Sequence, residues 1–234
     1  MAKIYGLFGS MKGKVGDVVM SVRNGNQIVR KYQPMVYNPS TQGQVAARAK
    51  LKLISQLSAQ MGSVIAMPRV GIVSPRNLFT KVNYPLVSFV NSTDPQKAQV
   101  ELSAIKLTKS NVFLPPVQVT LEENIATTQL SENADDLDRV IYCFFIVTPS
   151  NGLRLASAQI VTTGPTFQKR GPINLEEKYV VYAYGIRLNS DTARAKFAEI
   201  TTDDATLVAS LVSSRVLNEN DITLTETQFA VMNP

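Results

Sequence analysis

From about Val90 onward the chain consists of short β-prone runs at regular intervals, and this rhythm limits the folds open to it more than any other feature. The runs are Ala98–Lys106, Pro116–Leu121, Asp138–Pro149, Leu155–Thr163 and Lys178–Leu188. Turn-rich stretches separate them: Ser131-Glu132-Asn133-Ala134-Asp135-Asp136, Ser150-Asn151-Gly152 and Asn189-Ser190-Asp191. Strand signals at this spacing predict an immunoglobulin-like β-sandwich. The cysteine pair and tryptophan of antibody domains are absent, so spacing alone carries that expectation. Beyond Asp191 the pattern weakens, with Asp203–Val216 readable as a helix and Asp221–Val231 as a terminal strand.

The front of the chain is built differently. Val18–Arg23 and Asn26–Tyr32 are β-prone runs joined by Asn24-Gly25, a dipeptide that accepts the positive φ values of a type I′ hairpin turn. A two-residue turn sets Arg23 opposite Asn26, Ser21 opposite Ile28 and Val19 opposite Arg30. Arg23 and Arg30 then share one face, while Met20, Val22 and Val29 share the other. Asn38-Pro39 ends the strand, and Thr41 followed by Gln44 makes a capping-box pattern ahead of a helix over Val45–Leu57. Ala46, Ala49, Leu53 and Leu57 recur at helical spacing, with Gln44, Arg48, Lys52 and Ser55 on a polar stripe. Pro68, Gly71 and Pro75 interrupt the chain, and Arg76–Asn83 reads as a second short helix with Ser74 as its cap and Pro85 as its limit.

The expected fold class is therefore α+β, mainly β: an N-terminal hairpin with amphipathic helices, followed by the sandwich. The expected segments are 1–92, 93–190 and 191–234, the last a C-terminal extension either separate from the sandwich or continuous with it. Charge changes at the first boundary. Residues 1–90 carry 12 Lys and Arg against the single acid Asp17, whereas residues 91–234 carry 12 basic and 17 acidic residues. So segregated a positive charge suits a polyanionic partner, either nucleic acid or an acidic protein surface. The candidate contact residues are Lys12, Lys14, Arg23, Arg30, Lys31, Arg48, Lys50 and Lys52. Tyr5, Phe8, Tyr32 and Tyr37 are candidates for base stacking, although aromatics in short strands more often serve as core or partner-facing anchors.

Several chemistries are excluded by what the chain lacks. With no histidine there is no Ser-His-Asp or Cys-His nucleophile system and no histidine-ligated metal, and a single cysteine cannot build a thiolate zinc site. Neither a P-loop nor a dinucleotide fingerprint occurs; Lys12-Gly13-Lys14-Val15-Gly16 lacks the spacing and the following helix of a phosphate loop. The acidic pairs Glu122-Glu123, Asp135-Asp136 with Asp138, Glu176-Glu177 and Asp203-Asp204 lie in turn-like contexts, where adjacent carboxylates diverge, unlike the converging pair of a glycosidase. They also lack the spacing of an EF-hand. No enzymatic activity, cofactor or metal is expected. Cys143 sits in the apolar run Val140–Val147 and is expected as a buried small hydrophobe. No window is apolar enough to cross a bilayer and the N-terminus has no signal-peptide core, which predicts a protein made in a cytoplasm and not membrane-bound.

Four short patterns occur in order: Gly13-Lys14-Val15-Gly16, a hairpin ending in Val29-Arg30, Asn38-Pro39-Ser40-Thr41 with Gln44 and Arg48, and Asn77-x-Phe79-x-Lys81-x-Asn83. Together they resemble an uncharacterised protein family of Bacteroidota genomes and their phages, whose members continue into a β-rich C-terminal part. The resemblance covers roughly the first 85 residues. It implies a phage or phage-derived context, and it brings no catalytic residue or cofactor. The expected function is thus a non-enzymatic structural protein associated with the virion, its basic front docking on packaged nucleic acid or an acidic neighbour. The alternative is a dedicated nucleic-acid-binding protein of a phage or mobile element. Expected partners are other virion proteins, in a homo- or hetero-oligomer, and DNA or RNA; the expected location is the virion or the host cytoplasm.

Overall fold

The computed structural model describes residues 2–4, 12–23, 26–35, 40–68, 73–91, 94–122, 125–132, 136–148, 152–161, 166–169, 177–199, 205–213, 217 and 220–232. They form two compact units, 1–41 and 42–234.

The first unit is a four-stranded antiparallel sheet of β1 (Ala2–Ile4), β2 (Gly13–Val15), β3 (Val18–Arg23) and β4 (Asn26–Lys31), in the order β1-β4-β3-β2. Its central hairpin has the register that the spacing predicts, with Arg23 opposite Asn26, Ser21 opposite Ile28 and Val19 opposite Arg30. The turn residues Asn24 and Gly25 lie outside the described residues. Between β2 and β3, Val15 faces Val18 across Gly16-Asp17, and Gly16 takes a φ of +56°. An L side chain there would crowd its own backbone, so glycine makes the tight turn available. The Tyr32 N–H donates to the Asp17 carbonyl at 2.6 Å and extends the ladder past the end of β4.

The second unit is organised around one apolar strand pair. Its elements are α1 (Gln42–Gln60), α2 (Pro75–Asn83), β5 (Ser88–Asn91), β6 (Asp94–Gln99), β7 (Val117–Glu122), β8 (Ile125–Leu130), β9 (Arg139–Val147), β10 (Leu153–Val161), β11 (Thr166–Lys169), β12 (Lys178–Leu188), α3 (Asp191–Ala198), α4 (Ala205–Ser213), β13 (Ile222–Leu224) and β14 (Gln228–Met232). The central sheet runs β10-β9-β12, with β13 and β14 sharing the far edge of β12. A second sheet has the order β11-β8-β7, and β5 pairs with β6. Every residue of β9 from Val140 to Ile146 is buried, as is every residue of β12 from Tyr179 to Ile186. A strand apolar on both faces needs a layer on each side.

Alternation assigns the layers. Ile141, Cys143 and Phe145 join Val180, Tyr182, Tyr184 and Ile186 in one cluster with Ile54 and Leu57 from the end of α1 and Met61 just beyond it, Leu78 and Phe79 from α2, and Phe197 and Val208 from α3 and α4. On the opposite face Val140, Tyr142 and Phe144 join Val181 and Ala183 against Val117 and Leu130 of the β7–β8 sheet. Strand β8 buries every second residue, as a sheet covered on one side does. The mixed α+β, mainly β class is thus present, but the immunoglobulin-like sandwich is not confirmed. A sandwich of that type leaves the outer face of each sheet free, whereas here one face of the central sheet carries helices.

The change in compactness falls at residues 41 and 42, ahead of the change in charge balance near residue 92. The physical reason is that the apolar ends of α1 and α2 belong to the same cluster as the central sheet, so the helices are part of its core. Three further details depart from expectation. Strand β6 ends at Gln99 and does not reach Lys106; Leu102–Ala104 is a 3-10 turn. Strands β5, β8 and β11 and helix α3 are additional to the expected runs. The terminal run is two strands, β13 and β14, with Thr225 bridging them: its N–H donates to the Gly185 carbonyl at 3.0 Å, and its hydroxyl accepts from the Gly185 N–H at 2.7 Å. A Cβ at Gly185 would meet methyl groups of Leu137 and Thr225, so a larger residue there would have to displace the Leu137 side chain. The second short helix follows expectation, with the Ser74 hydroxyl accepting from Asn77 N–H at 3.2 Å. Helix α4 lies within the expected Asp203–Val216, whose two ends, 203–204 and 214–216, are outside the described residues, as are Asn38-Pro39, Gly71, Ser92-Thr93, 133–135 and 150–151.

Buried polar contacts close the second unit. Asn83 is fully buried; its amide nitrogen donates to the carbonyls of Phe79 and Lys106, both at 3.0 Å, and its carbonyl oxygen accepts from Lys106 N–H at 2.8 Å. It clamps α2 to the segment that follows the β5–β6 hairpin. Asn83→Ala leaves those backbone groups without partners in the core and is expected to cost about 2–4 kcal/mol in urea denaturation, with little change in m-value. Burial pushes the Tyr142 phenol up to about 12 and raises Tyr182 and Tyr184 well above their ordinary value. A raised folded-state value means stability is complete below about pH 10, where unfolded tyrosine is neutral, and falls as pH rises from there toward the folded values. Thermal stability should therefore drop above about pH 10, and the tyrosinate absorbance of these three residues should appear together with unfolding. Cys143 is fully buried with its thiol raised by burial, so a thiol reagent should label it only after denaturation.

Candidate functional site

The basic residues singled out from sequence divide between the two units. In the first, strand alternation and register put Lys14, Val19, Ser21, Ile28 and Arg30 on one face of the sheet, and Val15, Val18, Met20, Val22, Val29 and Lys31 on the other. Lys14, Val19 and Arg30 form one cross-strand row, which sets the Cα atoms of the two cations roughly 10 Å apart. Lys14 and Arg30 are exposed. The position of Arg23 in the register belongs to the same face, opposite Asn26, while Lys12 is exposed just ahead of β2. Lys31 is also exposed, but it neighbours Arg30 on a strand and so lies on the other face. The register puts the positions of Arg23 and Arg30 on the one face expected for them, and the Arg23 side chain is outside the described residues; Lys31 belongs to the other face.

Tyr32 supplies an aromatic beside this row. The Lys14 ammonium lies 3.6 Å from its ring centroid, a cation–π contact that holds the lysine near the end of β4. Tyr32 keeps part of its ring exposed, so both partners remain accessible on the sheet surface. Tyr5, Phe8 and Tyr37, the other stacking candidates, lie outside the described residues.

In the second unit, helix α1 sorts its residues as its periodicity predicts. Leu57 is buried and Ala46, Ala49 and Leu53 are half-buried, whereas Gln44, Arg48 and Lys52 are exposed and Ser55 is half-buried at the edge of the stripe. Lys50 departs from the expected role: it is half-buried, with its ammonium 5.1 Å from the centroid of Phe89 and 5.8 Å from that of Tyr84. Its stem covers aromatic surface at the edge of the core. Beyond the same helix, an open groove of about 500 Å³ runs past Ser58, Ser74 and Arg76, and Arg76 donates to the Ser55 carbonyl at 3.3 Å.

Of the acidic positions, two are described as structural partners. The Asp138 carboxylate accepts from Leu188 N–H at 2.7 Å and fastens the start of β9 to the end of β12. Glu177 accepts from the Tyr179 hydroxyl at 3.2 Å and lies 3.9 Å from Arg154. Asp136 is exposed. Glu123, Asp135, Glu176, Asp203 and Asp204 are outside the described residues. The feature that sequence reasoning passes over is the turn Gly16-Asp17, which adds β2 to the hairpin and so brings Lys14 into line with Arg30. Its signal is a Gly-Asp pair between Val15 and Val18.

Gly16→Val forces a β-branched residue into positive φ and is expected to cost at least about 1 kcal/mol, detaching β2 from β3. Amide hydrogen exchange of Lys14 and Val15 should accelerate while that of the β9–β12 core stays unchanged. Comparison with family models, curated proteins and solved structures found no match for this chain.

Proposed function

We propose that this chain is a non-enzymatic, virion-associated structural protein of a phage, and that its basic N-terminal sheet docks on packaged nucleic acid or on an acidic neighbouring surface. The observation that carries the contact surface is the cross-strand row Lys14–Val19–Arg30 with Tyr32 beside it: two cations and an aromatic held in a fixed pattern by strand register. A row of this kind meets a phosphate backbone or an acidic strip with several charges at once. The exposed stripe of Arg48 and Lys52 on α1 supports the same preference for a negative partner from the second unit. Its setting in a phage particle rests on the resemblance of the first 85 residues.

The test exploits neighbours on one strand. Arg30→Glu and Lys31→Glu change net charge equally, but the two residues occupy opposite faces of the sheet. Titration with duplex DNA across a range of salt concentrations should show Arg30→Glu weakening binding and flattening the log–log salt dependence by about 0.9 for each phosphate that the side chain no longer neutralises. Lys31→Glu should have a much smaller effect. Equal weakening by both would mean that the attraction follows net charge and not the face. Purification of intact particles followed by mass spectrometry tests the virion assignment; absence of the protein from the particles would refute it.

A further inference from the structure

The first unit has a second surface, and its chemistry is the opposite of the basic one. Val15, Val18, Met20, Val22 and Val29 share the face turned away from Lys14 and Arg30, and the register adds the positions of Ala2 and Ile4 on β1, opposite Val29 and Gln27. Lys31 and Gln27 are the only polar side chains on that face among the described residues. Yet no described residue of 1–41 is buried, and Val15 is 63% exposed. A sheet with an apolar face gains its stability by covering that face. Val18, Met20, Val22 and Val29 are half-buried, and no described element of the unit itself forms a second layer across this face.

We propose that the apolar face of the N-terminal sheet is an assembly surface whose occupant is the same face of a second copy of the chain, the two sheets stacking as a small sandwich. Charge placement selects this occupant. An acidic partner would be drawn to the side of Lys14 and Arg30, so the valine and methionine face calls for an apolar surface of matching size, which a second copy carries. Stacked sheets lie roughly 10 Å apart and place the Lys14–Arg30 faces outward, which separates those like charges by more than a Debye length at physiological salt, while Lys31 is exposed at the end of β4. The extent of the face sets the strength. Two strands of six residues and two of three, at strand spacings of ~4.8 Å and a rise of ~3.3 Å, cover roughly 300 Å² of sheet plane. Allowing for side-chain relief, a stacked pair buries on the order of 1,000 Å², the lower edge of specific interfaces. Pairing should accordingly be reversible and concentration-dependent. This inference uses the face opposite to the proposed polyanion contact and stands whether or not that contact exists.

Met20 and Ser21 are adjacent on β3 and face opposite ways, and the chain's one native cysteine, Cys143, is buried, so each position can carry a single accessible thiol. In full-length protein treated with a short bis-maleimide, Met20→Cys should yield covalent dimer in amounts that rise with concentration, at least about tenfold more than Ser21→Cys. Equal cross-linking of the two variants would overturn the proposal. Sedimentation velocity keeps it open to refutation if Met20→Cys disturbs the sheet. The unaltered chain should show a concentration-dependent shift from monomer toward dimer, abolished by Met20→Lys and retained by Ser21→Lys. A strictly monomeric chain at millimolar concentration, or self-association that survives Met20→Lys, would show that a second copy does not occupy this face.

Discussion

The pairing of β9 with β12 is the contact on which the second unit depends. Nine residues of β9 lie in antiparallel register with β12, from Arg139 opposite Ile186 to Val147 opposite Lys178. The side chains between those ends are apolar on both faces, and among them Phe145 and Tyr182 meet edge to face with centroids 5.7 Å apart. Such a ribbon cannot stand at the surface. Burying one face against β7 and β8 leaves another row of aromatics, and that row recruits α1, α2, α3 and α4. The helices near the front of the chain and those near its end thereby meet on one side of a sheet built from its middle.

Polar contacts then fix what burial alone leaves loose. Hydrophobic attraction has no direction, so it gathers the layers without setting their alignment. Asn83 aligns α2 with Lys106, Thr225 fills the step between β13 and β14, and Asp138 ties the start of β9 to the last residue of β12. The Tyr182 hydroxyl donates to the Leu102 carbonyl at 2.8 Å, which lets a large aromatic sit in the core with its polar end satisfied. Each is a hydrogen bond whose loss would strand a buried group.

The N-terminal unit works by a different rule. It has too few residues to enclose a core of its own, and its strands place Lys14 and Arg30, with Val19 and Ile28, on one face and Val15, Val18, Met20, Val22 and Val29, with Lys31, on the other. A sheet built this way offers two different faces, one carrying Lys14 and Arg30 and one richer in aliphatic side chains. The proposed polyanion contact and the proposed pairing between copies are compatible because they do not compete for surface. In an assembly they would reinforce one another, since paired sheets present two basic faces from a single sandwich.

Local features are legible in the residues themselves. Asn24-Gly25 implies the hairpin register, Ser74 and Pro75 the start of α2, and the run Val140–Val147 a buried strand, because turn, capping and strand preferences act over a few neighbouring residues. Position-specific charge is equally plain: Arg30 and Arg48 stand where their strand and helix periods put them. What tertiary structure alone decided was which apolar surface meets which. The stripe of Leu53 and Leu57 requires a partner but cannot name the central sheet, so charge balance groups the helices with the hairpin when they belong with β9 and β12. Lys50 reads as a surface cation, and only the fold places Phe89 and Tyr84 beside it. Apolar side chains carry no address, so sequence determined the faces, and only long-range packing determined their partners.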